Sequence, residues 1–116
     1  MIYKRNELPQ LREPDLVDFD YIRLNIAPTR LVPSQHERVP HLIWKAMRKF
    51  PAPNPLIVDI SNNIVNGHHR YSAALALGVT EVPVLQVQTT IDRLILHFVK
   101  NNYNICITHG LSLIHI

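Results

Sequence analysis

The sequence predicts an α+β domain, and three observations carry that expectation. β-branched runs at residues 56–60 and 64–66 read as two short strands. Apolar side chains recur with a helical period at Val39, Leu42, Ile43, Ala46, Met47 and Phe50, and again at Ile91, Leu94, Ile95 and Phe98. Between these stripes a glycine turn, Asn66-Gly67, joins a strand to an alanine- and leucine-rich segment that ends at Gly78.

Residues 1–19 are polar and carry Pro9 and Pro14, so they read as an arm with little fixed structure of its own, although a short turn around Leu11 or Leu16 to Phe19 could dock on the body. Tyr21-Ile22-Arg23-Leu24 alternates weakly and predicts the first strand. Pro28 opens a turn, and a polar loop follows through Ser34, Gln35, His36, Glu37 and Arg38. Pro40 suits the first turn of a helix. On that helix Lys45, Arg48 and Lys49 read as a solvated face, and Trp44 and Phe50 as core. Pro51, Pro53 and Pro55 end it. Residues 56–66 then predict a β-hairpin turning at Ser61-Asn62-Asn63. A helix is expected from His68 to Leu77, and a strand from Val82 to Val87. Pro83 places that strand near a sheet edge or marks its start. A last helix is capped near Thr89 or Thr90 and expected to end at Asn101, Asn102 and Asn104.

Composition narrows the function classes. With 116 residues, 47% apolar and 18% charged, the chain matches one globular domain and argues against disorder. A net charge of +3 permits a nucleic-acid partner without demanding one. Cys106 stands alone, which rules out an internal disulfide and a multi-cysteine zinc site. No apolar run reaches the roughly 18 residues of a membrane span, and the start lacks a signal-peptide core, so the expectation is a cytoplasmic protein with no membrane partner.

The chemistry-bearing stretch is Asn66-Gly67-His68-His69-Arg70-Tyr71. A helix starting there presents backbone N–H groups and a partial positive charge, which suit an anion. Two imidazoles and a guanidinium strengthen that preference, and phosphate is the natural ligand. A metal site built from His68 and His69 with His36 or His41 is the weaker reading, since adjacent helical side chains diverge and Arg70 would repel a cation. No metal is therefore assigned. Glu37 is the candidate general base, a carboxylate in the polar loop expected to face the phosphate.

Leu31-Val32-Pro33-Ser34-Gln35, Leu56-Ile57-Val58-Asp59, the stretch Gly67-His68-His69-Arg70-Tyr71-Ser72-Ala73-Ala74-Leu75 and Gly78-Val79-Thr80-Glu81-Val82-Pro83-Val84 together resemble the ParB/sulfiredoxin superfamily over about residues 20–100. The resemblance implies a small mixed β-sheet with packed helices and a nucleotide phosphate bound at the glycine turn. Gly67, His68, His69 and Arg70 then become the phosphate contacts, with Asn66, Ser34 and Gln35 beside them. The nucleotide would be ATP, ADP or CTP, with Mg2+. Sulfiredoxins carry a cysteine where His68 stands, so their thiolate chemistry is excluded. Partition proteins bind CTP through Gly-Glu-Arg-Arg and continue into a helix-turn-helix. Free-serine kinases of the superfamily use a loop glutamate, the position comparable to Glu37. Two functions are therefore implied. One is an NTP hydrolase or phosphotransferase. The other is the nucleotide-sensing part of a DNA-associated protein whose DNA contacts lie in a missing C-terminal region. Two-metal phosphodiester cleavage finds no carboxylate cluster to support it.

Leu111-Ser112-Leu113-Ile114-His115-Ile116 can be encoded by CTG TCT CTT ATA CAC ATC, which resembles a transposon mosaic end used in library adapters. The expected organisation is an arm at 1–19, a domain at 20–110 cut short at its C-terminal end, and adapter-derived residues at 111–116.

Overall fold

Among the described residues nine elements follow one another, and their order follows the glycine and proline punctuation of the sequence. The computed structural model describes residues 2–4 and 7–108, with side chains as far as residue 99. The expected adapter-derived residues 111–116 fall outside this range. Strand β1 spans Tyr21–Ile26, β2 Leu56–Val58, β3 Ile64–Asn66 and β4 Val82–Val87. Helix α1 spans Pro40–Met47, α2 His68–Leu77 and α3 Ile91–Thr108, and two 3-10 turns lie at Glu13–Leu16 and Pro28–Arg30.

The strands form one mixed sheet in the order β1-β4-β2-β3. β1 runs antiparallel to β4, β2 parallel to β4, and β3 antiparallel to β2. β4 is thus central, and of the two positions Pro83 allowed, it takes the strand start. It stands opposite Asn25, one residue before the parallel ladder begins at Leu56 and Val84, so its missing N–H interrupts no bond to β2.

Alternation along the strands sends side chains to two apolar layers. Ile57, Val65, Leu85 and Val87 face one way, against Ile91 and Leu94 of α3. Leu56, Val58, Ile64, Val82 and Val84 face the other, against Ala74 of α2 and the half-buried Tyr71 and Phe50. α1 packs on α2 from outside.

The N-terminal segment takes the docked alternative: Leu8, Leu11 and Leu16 are all buried in the first layer. Full burial of a leucine contributes about 1.5–3 kcal/mol, enough to fix a segment with no repeating pattern of its own. Two other expectations change here. Trp44 is 66% exposed and so is no core residue, while Phe50 does pack on the second layer. α3 continues through Asn101, Asn102 and Asn104 to Thr108, since asparagine only weakly disfavours a helix interior and no glycine or proline interrupts it.

One buried carboxylate ties the hairpin to α3. Asp59 Oδ1 accepts the N–H groups of Ser61 and Asn63 at 2.9 and 2.8 Å, and Oδ2 accepts Asn63 Nδ2 and the Ile91 N–H at 2.9 Å each. It therefore closes the β2–β3 turn and binds the first N–H of α3 with the same side chain.

Candidate phosphate site at the start of α2

β3 ends at Asn66, and the backbone must reverse into α2 within one residue. Gly67 does this at φ +106°, in the left-handed region that favours glycine. A Cβ at this position would stand 2.7 Å from the Cγ of Leu56, a fully buried side chain on the neighbouring strand. No side chain caps the helix, whose ladder begins with the Tyr71 N–H bonded to Gly67 O at 2.8 Å.

The next three side chains each secure a different wall. His68 is buried, and its Nε2 accepts the Ser34 N–H at 3.0 Å. His69 Nε2 accepts the N–H of Val39, the residue preceding α1, at 2.9 Å. Arg70 Nη1 donates to the carbonyls of Asn54 and Pro55 at 3.0 and 2.7 Å, holding the proline-rich connector. Arg70 Nη2 lies against Gly67. As acceptors, both histidines keep Nε2 unprotonated, so each lone pair that could bind a metal is already engaged. Burial, then the Arg38 charge and His69, push the His68 pKa down to about 4. Burial also lowers the Arg70 guanidinium from its ordinary value, though it stays cationic.

The resulting cleft has a volume of about 300 Å³. Its ionisable lining is wholly basic: Lys45 of α1 and Lys49 of the turn that follows it line the cleft with His68, His69 and Arg70. Among the described residues no aspartate or glutamate lines it, and none lies within 4 Å of Arg70, Lys45 or Lys49. Such a lining attracts an anion and repels a cation. Among the described residues no group of three histidine, cysteine, aspartate or glutamate side chains is placed to hold a metal ion.

The remaining predicted residues divide. Gln35 and Asn66 line the cleft. Gln35 is buried and donates its amide to Glu37 O at 3.1 Å, and Asn66 donates its amide to the Leu11 carbonyl. Ser34 lies outside the lining, with its hydroxyl donated to Ile64 O and its N–H to His68. Glu37 is exposed on the loop and is not part of the cleft wall. In sequence Lys45 and Lys49 present only a solvated face. Their spacing of four is the signal that they could act together, although Lys49 falls in the turn just after α1.

No protein-family model matches the chain, and no curated protein matches it in sequence. Solved structures do. A pNOB8-like ParB N-domain superposes with a TM-score of 0.51 at 19% identity, over 78% of this chain and 37% of that one. A C2221 crystal form of a Pnob8-like ParB-N domain superposes with a TM-score of 0.52 at 18% identity, over 65% of this chain and 32% of that one. The chain thus spans about a third of the length of either. The mixed sheet, its order and its packed helices make this chain an α+β domain with the fold of ParB N-terminal domains.

Proposed function

We propose that the cleft at the start of α2 binds the phosphate groups of a nucleotide, and that the domain acts as a nucleotide-binding module. The carrying observation is the wholly basic lining around an uncapped helix N-terminus. Helix N–H groups, two lysines and a guanidinium supply the charge-assisted donors that a di- or triphosphate takes up. Mg2+ would enter on the phosphates, coordinated by their oxygens and water, because among the described residues the wall offers no carboxylate. ATP, ADP and CTP all fit this chemistry, since the donors address phosphate and none reads a base.

The fold likeness to ParB N-domains favours a sensing module, with DNA contacted through a region beyond the described residues, over an enzyme. Phosphoryl transfer needs a base next to the acceptor, and Glu37 sits on an exposed loop outside the cleft. A thermal-shift panel of ATP, ADP, CTP and GTP with magnesium tests the binding. Stabilisation by at least one nucleotide in the parent, absent in Arg70→Ala, is expected; no shift with any of them sinks the reading. Turnover that disappears in Glu37→Gln would restore the transferase alternative.

A further inference from the structure

The outward side of α1 carries a second basic surface. Trp44, the single tryptophan of the chain, is 66% exposed, an unusual state for so large an apolar ring. His41 stands three residues before it and Arg48 four after, on the same helix face. Together with Lys45 these side chains line a shallow depression of about 370 Å³. All four are exposed. Among the described residues no carboxylate lies within 4 Å of Lys45 or Arg48. Lys45 also lines the cleft at α2, so the two depressions share one cation.

We infer that this face of α1 binds single-stranded nucleic acid, one base stacking on the Trp44 indole while Lys45 and Arg48 pair with the flanking phosphates. An exposed aromatic ring with a lysine, an arginine and an imidazole beside it is complementary to a ligand with a flat π-face and negative charge on either side. Duplex bases are covered by their neighbours, so only an unstacked base can present its face to the ring. A protein partner of ordinary composition would have to cover two cations beside one ring. The surface stands on α1 alone and does not depend on phosphate binding at α2.

The sole tryptophan makes the test direct. Titrating the full chain with an oligothymidylate of about ten nucleotides should quench the indole fluorescence saturably, and added salt should weaken the binding. Inorganic polyphosphate, which has the charge without the bases, should leave the fluorescence unquenched. With an end-labelled oligonucleotide read by anisotropy, Trp44→Ala should weaken binding about five-fold or more, Trp44→Phe less, and Arg48→Glu at least as much as Trp44→Ala. These positions are exposed, so the variants should fold as the parent does. Absence of quenching, equal affinity in Trp44→Ala, or equal affinity for a duplex of the same length would overturn the proposal. Loss of quenching in Arg70→Ala would place the oligonucleotide in the α2 cleft and overturn the α1 site as well.

Discussion

Replacing Gly67 by alanine is expected to cost this domain about 2–5 kcal/mol, and two separable terms make up that figure. At φ +106° an L side chain pays about 1–2 kcal/mol for the left-handed conformation. The new Cβ would also meet Leu56 Cγ at 2.7 Å and Leu56 Cβ at 3.2 Å. Leu56 cannot retreat easily, being fully buried and paired with Val84, and overpacking of that kind adds about 1–3 kcal/mol. Gly78 provides the control within the same helix. Its φ is +67°, but nothing lies within 4 Å of a Cβ built there, so Gly78→Ala should lose only the conformational term of about 1–2 kcal/mol. Urea unfolding of both variants beside the parent measures the difference. A Gly67→Ala loss no larger than that of Gly78→Ala would refute the close approach of β2 to the turn, and with it the reason the candidate phosphate site begins on a glycine.

Further consequences follow from the same geometry. Asp59→Asn would set an amide NH2 against N–H donors that now share a carboxylate, and a loss of about 2–4 kcal/mol in urea unfolding is expected; a loss under about 0.5 kcal/mol would contradict the assigned bonds. The His68 pKa lies near 4 in the fold against an ordinary 6.5, so the unfolded chain takes up its proton first. The stability contributed by neutral His68 is whole above pH 6.5 and declines as pH falls towards 4. His68→Gln should flatten that part of the stability–pH curve, and an unchanged slope would refute the assignment. Lys45→Ala and Lys49→Ala should each lower affinity for inorganic tripolyphosphate several-fold at low salt, with stability within about 0.5 kcal/mol of the parent. Equal affinity in both variants would remove α1 from the site.

What could be read from the sequence is what local rules decide. Gly67 and Gly78 bound α2 because both adopt positive φ, and the β-branched runs at 56–58 and 64–66 became strands because both of their faces are covered. The N-terminal segment was only half legible: a turn near Leu11 or Leu16 offered a docking point, but Leu8, Leu11 and Leu16 follow no strand or helix period, and their burial against the first layer is a tertiary fact. Trp44 failed for the opposite reason, since an aromatic residue was assumed to seek the core while its place on α1 faces solvent. At the candidate site, the stretch from Gly67 to Arg70 stands out in the sequence by its residue types. Its hydrogen bonds do not: His68 and His69 hold the Ser34 and Val39 loops through backbone N–H groups, a use that depends on where those distant segments lie. Lys45 and Lys49 were visible as charges, but their partner across the cleft is a tertiary fact.

The most direct measurement is an amide-resolved NMR titration of the isotopically labelled chain with inorganic tripolyphosphate. Phosphate bound at the start of α2 predicts saturable shifts concentrated on the backbone amides of Gly67, His68, His69 and Arg70, with smaller ones on α1 near Lys45 and Lys49. Shifts spread over exposed lysines and arginines without saturation, or no shift at the first turn of α2, would contradict it.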